Sequence, residues 1–372
     1  MMKLISHTIF LKHDMHGHPE RADRIRQALK VFPYENAKDG EAYLTKVHTQ
    51  RYIQKVKEAS ALAASHARYL DAGETYVCKD TYKAACYAVG AAVQAAEYAL
   101  KKQPAFALVR PPGHHAHPDW TNGFCIFNNM AVAAVHLAEK KEKVLIIDID
   151  LHRGDGTADC VSLYNSRLGD RLFYFSINQY GVFPGMAIDE GNIKNIYVEA
   201  GLKEDQYISI LKKELPPLIH RFKPTVIGIS AGFDSFAKDK ETHASELGCG
   251  LSLTKRAIAE LKGIIKGLPY FAVLEGGYNH ESVVEGVAAF LGVAVKEEKK
   301  PEQAVKKKQL KSAVKKKATP EKKHIAKKPS AKKKQKRVAA TRAKRAKSGS
   351  KKATKAKKPA KPKKAAKKSK KR

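Results

Sequence analysis

Along residues 1–295, short continuous apolar runs alternate with longer segments whose apolar positions recur at helical spacing. That spacing predicts helices over Tyr82–Leu100, Asn129–Glu139, Gln206–Arg221 and Ser252–Lys266. Between them, FALVR (Phe106–Arg110), VLIIDI (Val144–Ile149), LFYFSI from Leu172, TVIGIS (Thr225–Ser230) and YFAVLE (Tyr270–Glu275) read as strands. Apolar runs without polar alternation mark strands buried on both faces, and such strands separated by helices build a parallel sheet. The expected fold class is α/β, an open doubly wound parallel sheet flanked by helices. In such sheets ligands bind beyond the carboxyl ends of the strands. Each chemically loaded cluster here follows a strand: PPGHHAH (Pro111–His117), DIDLHRGDG (Asp148–Gly156), SAGFD (Ser230–Asp234) and GGY (Gly276–Tyr278). Four segments distant in sequence are thus expected to meet on one rim.

The pattern ends at residue 295. Residues 296–372 hold 36 Lys or Arg against four Glu, with no Phe, Tyr or Trp, so they lack the apolar surface needed to fold. Of the formal net charge of +34, +32 belongs to this stretch and only +2 to residues 1–295. Two regions follow: a globular domain over 1–295 and a disordered Lys/Ala/Pro-rich arm over 296–372. Steps such as KKPSAKKK and KKPAKPKK look like the C-terminal tail of a linker histone. Such an arm neutralises phosphates without reading bases, so DNA is the expected partner, with affinity that falls steeply as salt rises. A solubilising arm, or one drawn to anionic membrane, is the plainer alternative.

No segment approaches the roughly 18 uninterrupted apolar residues of a membrane span, and the N-terminus lacks a signal-peptide core. A soluble protein with no membrane partner is expected, placed in a nucleus, its own or a host's, or in a bacterial nucleoid. Cys78, Cys86, Cys125, Cys160 and Cys249 show no CxxC spacing, which speaks against a zinc finger or a disulfide framework and for a reducing compartment.

The chemistry concentrates after VLII. Asp148, Asp150 and His152 fall at i, i+2 and i+4, which in an extended segment aims them into one volume. Asp150 and His152 with Asp234 make three oxygen and nitrogen ligands that leave positions open, as a catalytic rather than a structural metal site requires. A divalent ion there acidifies a water and polarises a carbonyl, which suits amide hydrolysis; the donors accept zinc or iron(II) alike. His114 and His115 titrate near neutrality, so one can take a proton from the water and one can donate to the leaving amine. Asp148 and Asp155 are the carboxylates available to orient them. Tyr278 is a candidate donor to the tetrahedral oxyanion, and Gly276 and Gly277 let the backbone turn tightly against the site. In HDMHGHPE, His13, His16 and His18 suggest either a second metal site or, preferably, a loop at the site's mouth in which His18, Pro19 and Glu20 are structural.

RPPGHHA (Arg110–Ala116), GFCIFNN (Gly123–Asn129), DIDLHRGDGT (Asp148–Thr157), FPG (Phe183–Gly185), SAGFD (Ser230–Asp234) and EGGY (Glu275–Tyr278) occur in an order that resembles the metal-dependent histone deacetylase family. With HPERADRIR (His18–Arg26) the resemblance covers nearly all of residues 1–295. It implies the arginase/deacetylase fold, zinc at Asp150, His152 and Asp234, a catalytic pair at His114 and His115, and Tyr278 as transition-state donor. It also implies a narrow tunnel for an acetyl-lysine side chain lined by Gly123, Phe124 and Phe183 with Gly276 among the substrate contacts, and a structural potassium site to which Asp148 and Ser176 contribute. Two departures stand out. Arg153 occupies a position where the family often has a second His, but that position is not a ligand. The stretch SFAKDKETHASELG after Asp234 strays from the usual sequence and leaves the substrate rim open. Tyr278, replaced by His in some branches, is retained, which favours an active enzyme. The expected function is zinc-dependent removal of acetyl groups from Nε-acetyl-lysine in histones or other DNA-associated proteins, at chromatin. The alternatives are hydrolysis of acetylpolyamines or small amides, and a non-enzymatic, linker-histone-like DNA-compacting protein.

Overall fold

The computed structural model describes residues 1–63, 68–241 and 250–295. The basic arm, the divergent stretch from residue 242 and Cys249 lie outside the described residues, and with them the expected disorder and DNA contact. Strands are β1 (Lys3–Ser6), β2 (Glu35–Asn36), β3 (Arg68–Tyr69), β4 (Tyr76–Val77), β5 (Ala105–Ala107), β6 (Val144–Asp148), β7 (Leu172–Gln179), β8 (Ile193–Val198), β9 (Val226–Ala231) and β10 (Tyr270–Leu274). Helices are α1 (Asp23–Val31), α2 (Gln50–Leu62), α3 (Thr81–Leu100), α4 (Asn129–Glu139), α5 (Asp155–Leu168), α6 (Glu204–Phe222), α7 (Lys255–Ile264) and α8 (His280–Leu291). Eight strands form one sheet in the order β2-β1-β5-β10-β9-β6-β7-β8, and every pairing in it is parallel. Strands β3 and β4 form a separate antiparallel pair.

The doubly wound sheet expected from the apolar runs is the one observed. Strands β6, β7 and β9 are buried along their whole length, as helices on both faces demand. Helix α3 packs on β5 and β10 and against α4; its run of alanines lets its backbone lie close to the sheet, and most of its length is buried. Among the described residues no helix is long and apolar enough to cross a membrane.

Sheet order accounts for the single rim. The four strands that precede the chemical clusters, β5, β10, β9 and β6, are consecutive neighbours at the centre of the sheet, and being parallel they deliver their carboxyl ends to one edge. Register keeps those ends level: Asp148 pairs with Ser230, and Ala231 with Leu274. Strand β5 stops at Ala107, short of the expected Arg110, and the chain runs on as the loop that bears both histidines. Asn128 then ties this loop to its surroundings. Its side-chain oxygen caps α4 by accepting from the Ala131 N–H at 2.8 Å, and its amide donates to the Ala116 carbonyl and the Thr157 hydroxyl.

Candidate metal centre and catalytic site

Beyond the end of β6 the chain brings Asp150 and His152 against Asp234, which follows β9. His152 Nδ1 lies 3.0 Å from Asp234 Oδ2 and 3.3 Å from Asp150 Oδ1. One ligand atom from each of the three residues falls within 4.8 Å of the others, and all three residues are buried. The backbone fixes the remaining carboxylate oxygens: the Gly276 N–H donates to Asp150 Oδ2 at 2.8 Å and the Leu151 N–H to Asp234 Oδ1 at 3.0 Å. A Cβ on residue 276 would lie 2.6 Å from both Asp150 Oδ2 and Asp234 Oδ2, so only glycine admits this approach. Gly276 therefore stands against the metal-competent carboxylates.

The donor set suits a divalent cation. Burial and the adjacent Asp150 push the Asp234 carboxyl above its ordinary value, whereas His114 and His152 hold Asp150 low in spite of burial. Packing two carboxylates and an imidazole into one dry volume is costly unless a positive charge joins them. Hard oxygen donors with one imidazole and no thiolate match zinc or iron(II) with open positions.

The two histidines that follow β5 share a place and differ in surroundings. His114 Nδ1 faces Asp148 Oδ2 at 3.2 Å, and His115 Nδ1 faces Asp155 Oδ1 at 2.7 Å; their ring centroids are 3.9 Å apart. Burial opposes the charge on His114, but Asp150 and Asp148 outweigh it and push the ring well above its ordinary value. For His115, burial and the charge of His114 outweigh Asp155 and lower the ring to about 4. Neighbouring groups pushed apart in this way divide into a charged partner and a neutral proton acceptor. Asp148 is the last residue of β6 and faces His114, whereas Asp155 faces His115 from the first turn of α5 and not from the strand-end segment, because the chain turns into a helix directly after Gly154.

Aromatic rings pack beside His115 and Tyr278. Gly123 and Phe124 both adopt positive φ (55° and 67°), and a Cβ on residue 123 would come within 2.5 Å of His115 Cδ2. Phe183 packs edge-on to His115 at 4.9 Å, and Phe124 meets Tyr278 at 5.9 Å. Phe183 remains 41% exposed, so this group of rings opens to solvent. Arg153, the departure from the family pattern, donates to the Gly185 carbonyl at 3.4 Å and so touches the segment that carries Phe183.

A second ionic network underlies the Tyr278 turn, and sequence reasoning assigned it no role beyond that of Glu20. Arg24 donates to the carbonyls of Gly277 and Glu275 and lies 5.1 Å from the centre of the Tyr278 ring. Glu20 pairs with Arg24 at 2.9 Å and with Arg110 at 2.5 and 2.7 Å, all of them fully buried. Asp239, from the divergent stretch, accepts the Tyr278 and Asn279 N–H groups at 3.0 Å. Glu275 accepts the N–H groups of Gly113 and His114, linking β10 to the histidine loop, while burial pushes its carboxyl up to about 7. The signal for Arg24 and Glu275 was present in HPERADRIR and EGGY, but nothing in linear order joins the two motifs.

Two further expectations have a place in the fold. Asp148 and Ser176 are register partners on β6 and β7; the Tyr174 hydroxyl donates to Asp148 Oδ2 at 2.9 Å, and Ser176 Oγ lies 3.1 Å from the side-chain oxygens of Asn178 and Asn195. His13 is buried against Thr81 and Glu20, whereas His18 accepts from the Glu20 N–H and sets its edge against Phe124. Among the described residues, no three-ligand group includes His13, His16 or His18.

The family model for the histone deacetylase domain matches residues 16–294. A probable deacetylase of Archaeoglobus fulgidus is 30% identical over 317 residues, covering 78% of this chain and 84% of that protein. The crystal structure of the HDA15 HD domain is similar with a TM-score of 0.68 and 28% identity, covering 78% of this chain and 90% of that one. The acetylpolyamine aminohydrolase from Burkholderia pseudomallei shares the fold, with a TM-score of 0.67 at 24% identity over 78% of this chain and 98% of that one.

Proposed function

The chain belongs to the histone deacetylase domain family, a family of metal-dependent hydrolytic deacetylases, and from that premise we propose that it removes the acetyl group from Nε-acetyl-lysine in DNA-associated proteins. The observation that carries the reading is the meeting of a buried Asp150, His152 and Asp234 set with two carboxylate-oriented histidines, with the rings of Phe183, Phe124 and Tyr278 alongside. The apolar methylene stem and planar acetamide of an acetyl-lysine suit packing between the rings of Phe124 and Phe183.

Zinc is the ion we assign to the three ligands, with potassium near Asp148 and Ser176. A bound divalent ion supplies Lewis acidity toward the amide carbonyl and acidifies water. His115, neutral and fixed by Asp155, takes the proton of the attacking water at Nε2 and returns it to the departing amine. His114, oriented by Asp148 at Nδ1, stands ring against ring with His115 as the second imidazole of the pair. Tyr278 donates its phenolic hydrogen to the developing oxyanion, held in position by Arg24 beneath the ring and by Asp239 at its backbone.

The arm over 296–372 holds the enzyme on DNA without sequence preference and raises its effective concentration near acetylated substrates in chromatin or nucleoid. The test compares the zinc-loaded full chain on an acetyl-lysine peptide, acetylspermidine and an acetylated nucleosome. Preference for the two protein substrates is expected, with Y278F lowering peptide turnover about 100-fold or more. Preference for acetylspermidine overturns the substrate assignment, and an unchanged Y278F overturns the mechanism. Deleting 296–372 is expected to spare peptide turnover and weaken nucleosome turnover; equal losses overturn the role of the arm.

A further inference from the structure

His117 lies two residues beyond the catalytic pair, and no role has been assigned to it above. It is 4% exposed, and both of its ring nitrogens face carboxylates: Nδ1 lies 2.6 Å from Asp159 Oδ2 and Nε2 lies 3.3 Å from Asp155 Oδ2. Asp155 and Asp159 are four residues apart and so project from one face of α5. Trp120 covers the ring in parallel, with centroids 3.7 Å apart and planes inclined by 10°. Each carboxylate is a pure acceptor when ionised, so both contacts are satisfied only when both ring nitrogens carry hydrogen, which makes the ring a cation. A cation beneath an indole face gains further from the ring quadrupole.

We propose that His117 is a positioning residue, a cationic brace that holds Asp155 in the orientation from which it fixes the tautomer of His115. Asp155 thereby sits between two imidazoles, with Oδ1 on His115 and Oδ2 on His117. Without the brace, Oδ2 loses its partner and the carboxylate is free to rotate away from His115. The chain of contacts ends at Asp159, whose side chain is 62% exposed, so it runs from the surface to the proton acceptor.

The groups around the ring agree with that charge. Burial opposes it, but hydrogen bonds and charge from Asp155 and Asp159 more than offset burial and raise the ring to about 9. On the other side, the His117 carbonyl accepts from His48 Nδ1 at 3.1 Å, and the His48 Nε2 accepts from the Asn128 N–H; burial holds His48 neutral, so no second cation competes.

The proposal rests on the deacetylase reading only for its kinetic arm. Nitrogen-15 histidine spectra of the full chain, with H117Q identifying the resonance, are expected to show two protonated ring nitrogens at neutral pH. A neutral ring overturns the proposal whether or not the protein deacetylates anything. In turnover of an acetyl-lysine peptide, H117Q is expected to lower kcat about ten-fold, in the range typical for outer partners of a metal site, with KM within about two-fold. H117K, which keeps a cation, is expected to recover most of the loss, and D159N to fall between. Equal losses in H117Q and H117K, with melting temperatures unchanged, overturn the proposal; absence of turnover in the natural chain instead overturns the deacetylase reading and leaves the spectra to decide the brace.

Discussion

Two buried ionic regions meet at Tyr278, and they solve the same problem in opposite ways. The floor of the site gathers Asp148, Asp150, Asp234 and Glu275 around His114 and His152, an excess of carboxylate. The neighbouring layer gathers Arg24 and Arg110 around the single carboxylate of Glu20, an excess of guanidinium. In that layer the surplus donors end on backbone carbonyls, those of Phe10, Gly277 and Glu275, so no further ion is required. On the floor the surplus is of acceptors: backbone N–H groups bind both oxygens of Asp150 and Oδ1 of Asp234, and His152 Nδ1 lies between the two carboxylates, yet the buried acidic groups still outnumber the imidazoles. That surplus of negative charge calls for a cation. One region is finished by the fold, and the other is finished by what it binds.

The largest expected effect tests that asymmetry directly. Exhaustive chelation of the purified chain is expected to abolish deacetylation and lower the melting temperature, with both restored by zinc, because an ion bound only to the folded state stabilises it. A chain that keeps its turnover and melting temperature after chelation would show that the floor, too, is complete without an ion. Next comes E20Q in the layer, which leaves two buried guanidiniums without a carboxylate; a loss of about 3–5 kcal/mol in denaturant unfolding is expected. That loss is expected to be the same in chelated and zinc-loaded protein, and a strong dependence on metal would erase the distinction between the regions. The smallest effect lies at the rim, where neither imbalance operates. R153Q removes one part-buried contact to Gly185, and steady-state kinetics are expected to show a rise in KM of a few-fold, the equivalent of about 1 kcal/mol, with kcat unchanged.

Much of the floor was legible because its members lie close in sequence or in motifs tied to strand ends. Asp148, Asp150 and His152 span five residues, and strand periodicity alone aims them together. The layer was not legible in the same way. Arg24 and Arg110 come from α1 and from the loop after β5, and only the tertiary fold brings both to Glu20. Elements escaped the apolar pattern for comparable reasons. Strand β8 is half-covered at the sheet edge and buries only two of its six residues, so it presents no continuous run. Helix α5 begins with Asp155 and Gly156 and mixes polar residues throughout; without its start, the pairing of Asp155 with Asp159 that brackets His117 has no visible period.

By itself the sequence determined the parallel α/β class, the boundary at which apolar patterning gives way to a lysine-rich arm, and which carboxylates and imidazoles are available for metal and proton chemistry. Those follow from local periodicity and from side-chain type, which are properties of short windows. The tertiary structure alone decided how the two adjacent histidines divide: on His114 the carboxylates of the floor outweigh burial and push the ring up, while on His115 burial and the neighbouring His114 outweigh the Asp155 it shares with His117 and push the ring down. The physical reason is that an imidazole's charge is set by burial and by the nearest ions in space, and those ions come from strand ends and helices that only the folded sheet brings within a few ångströms.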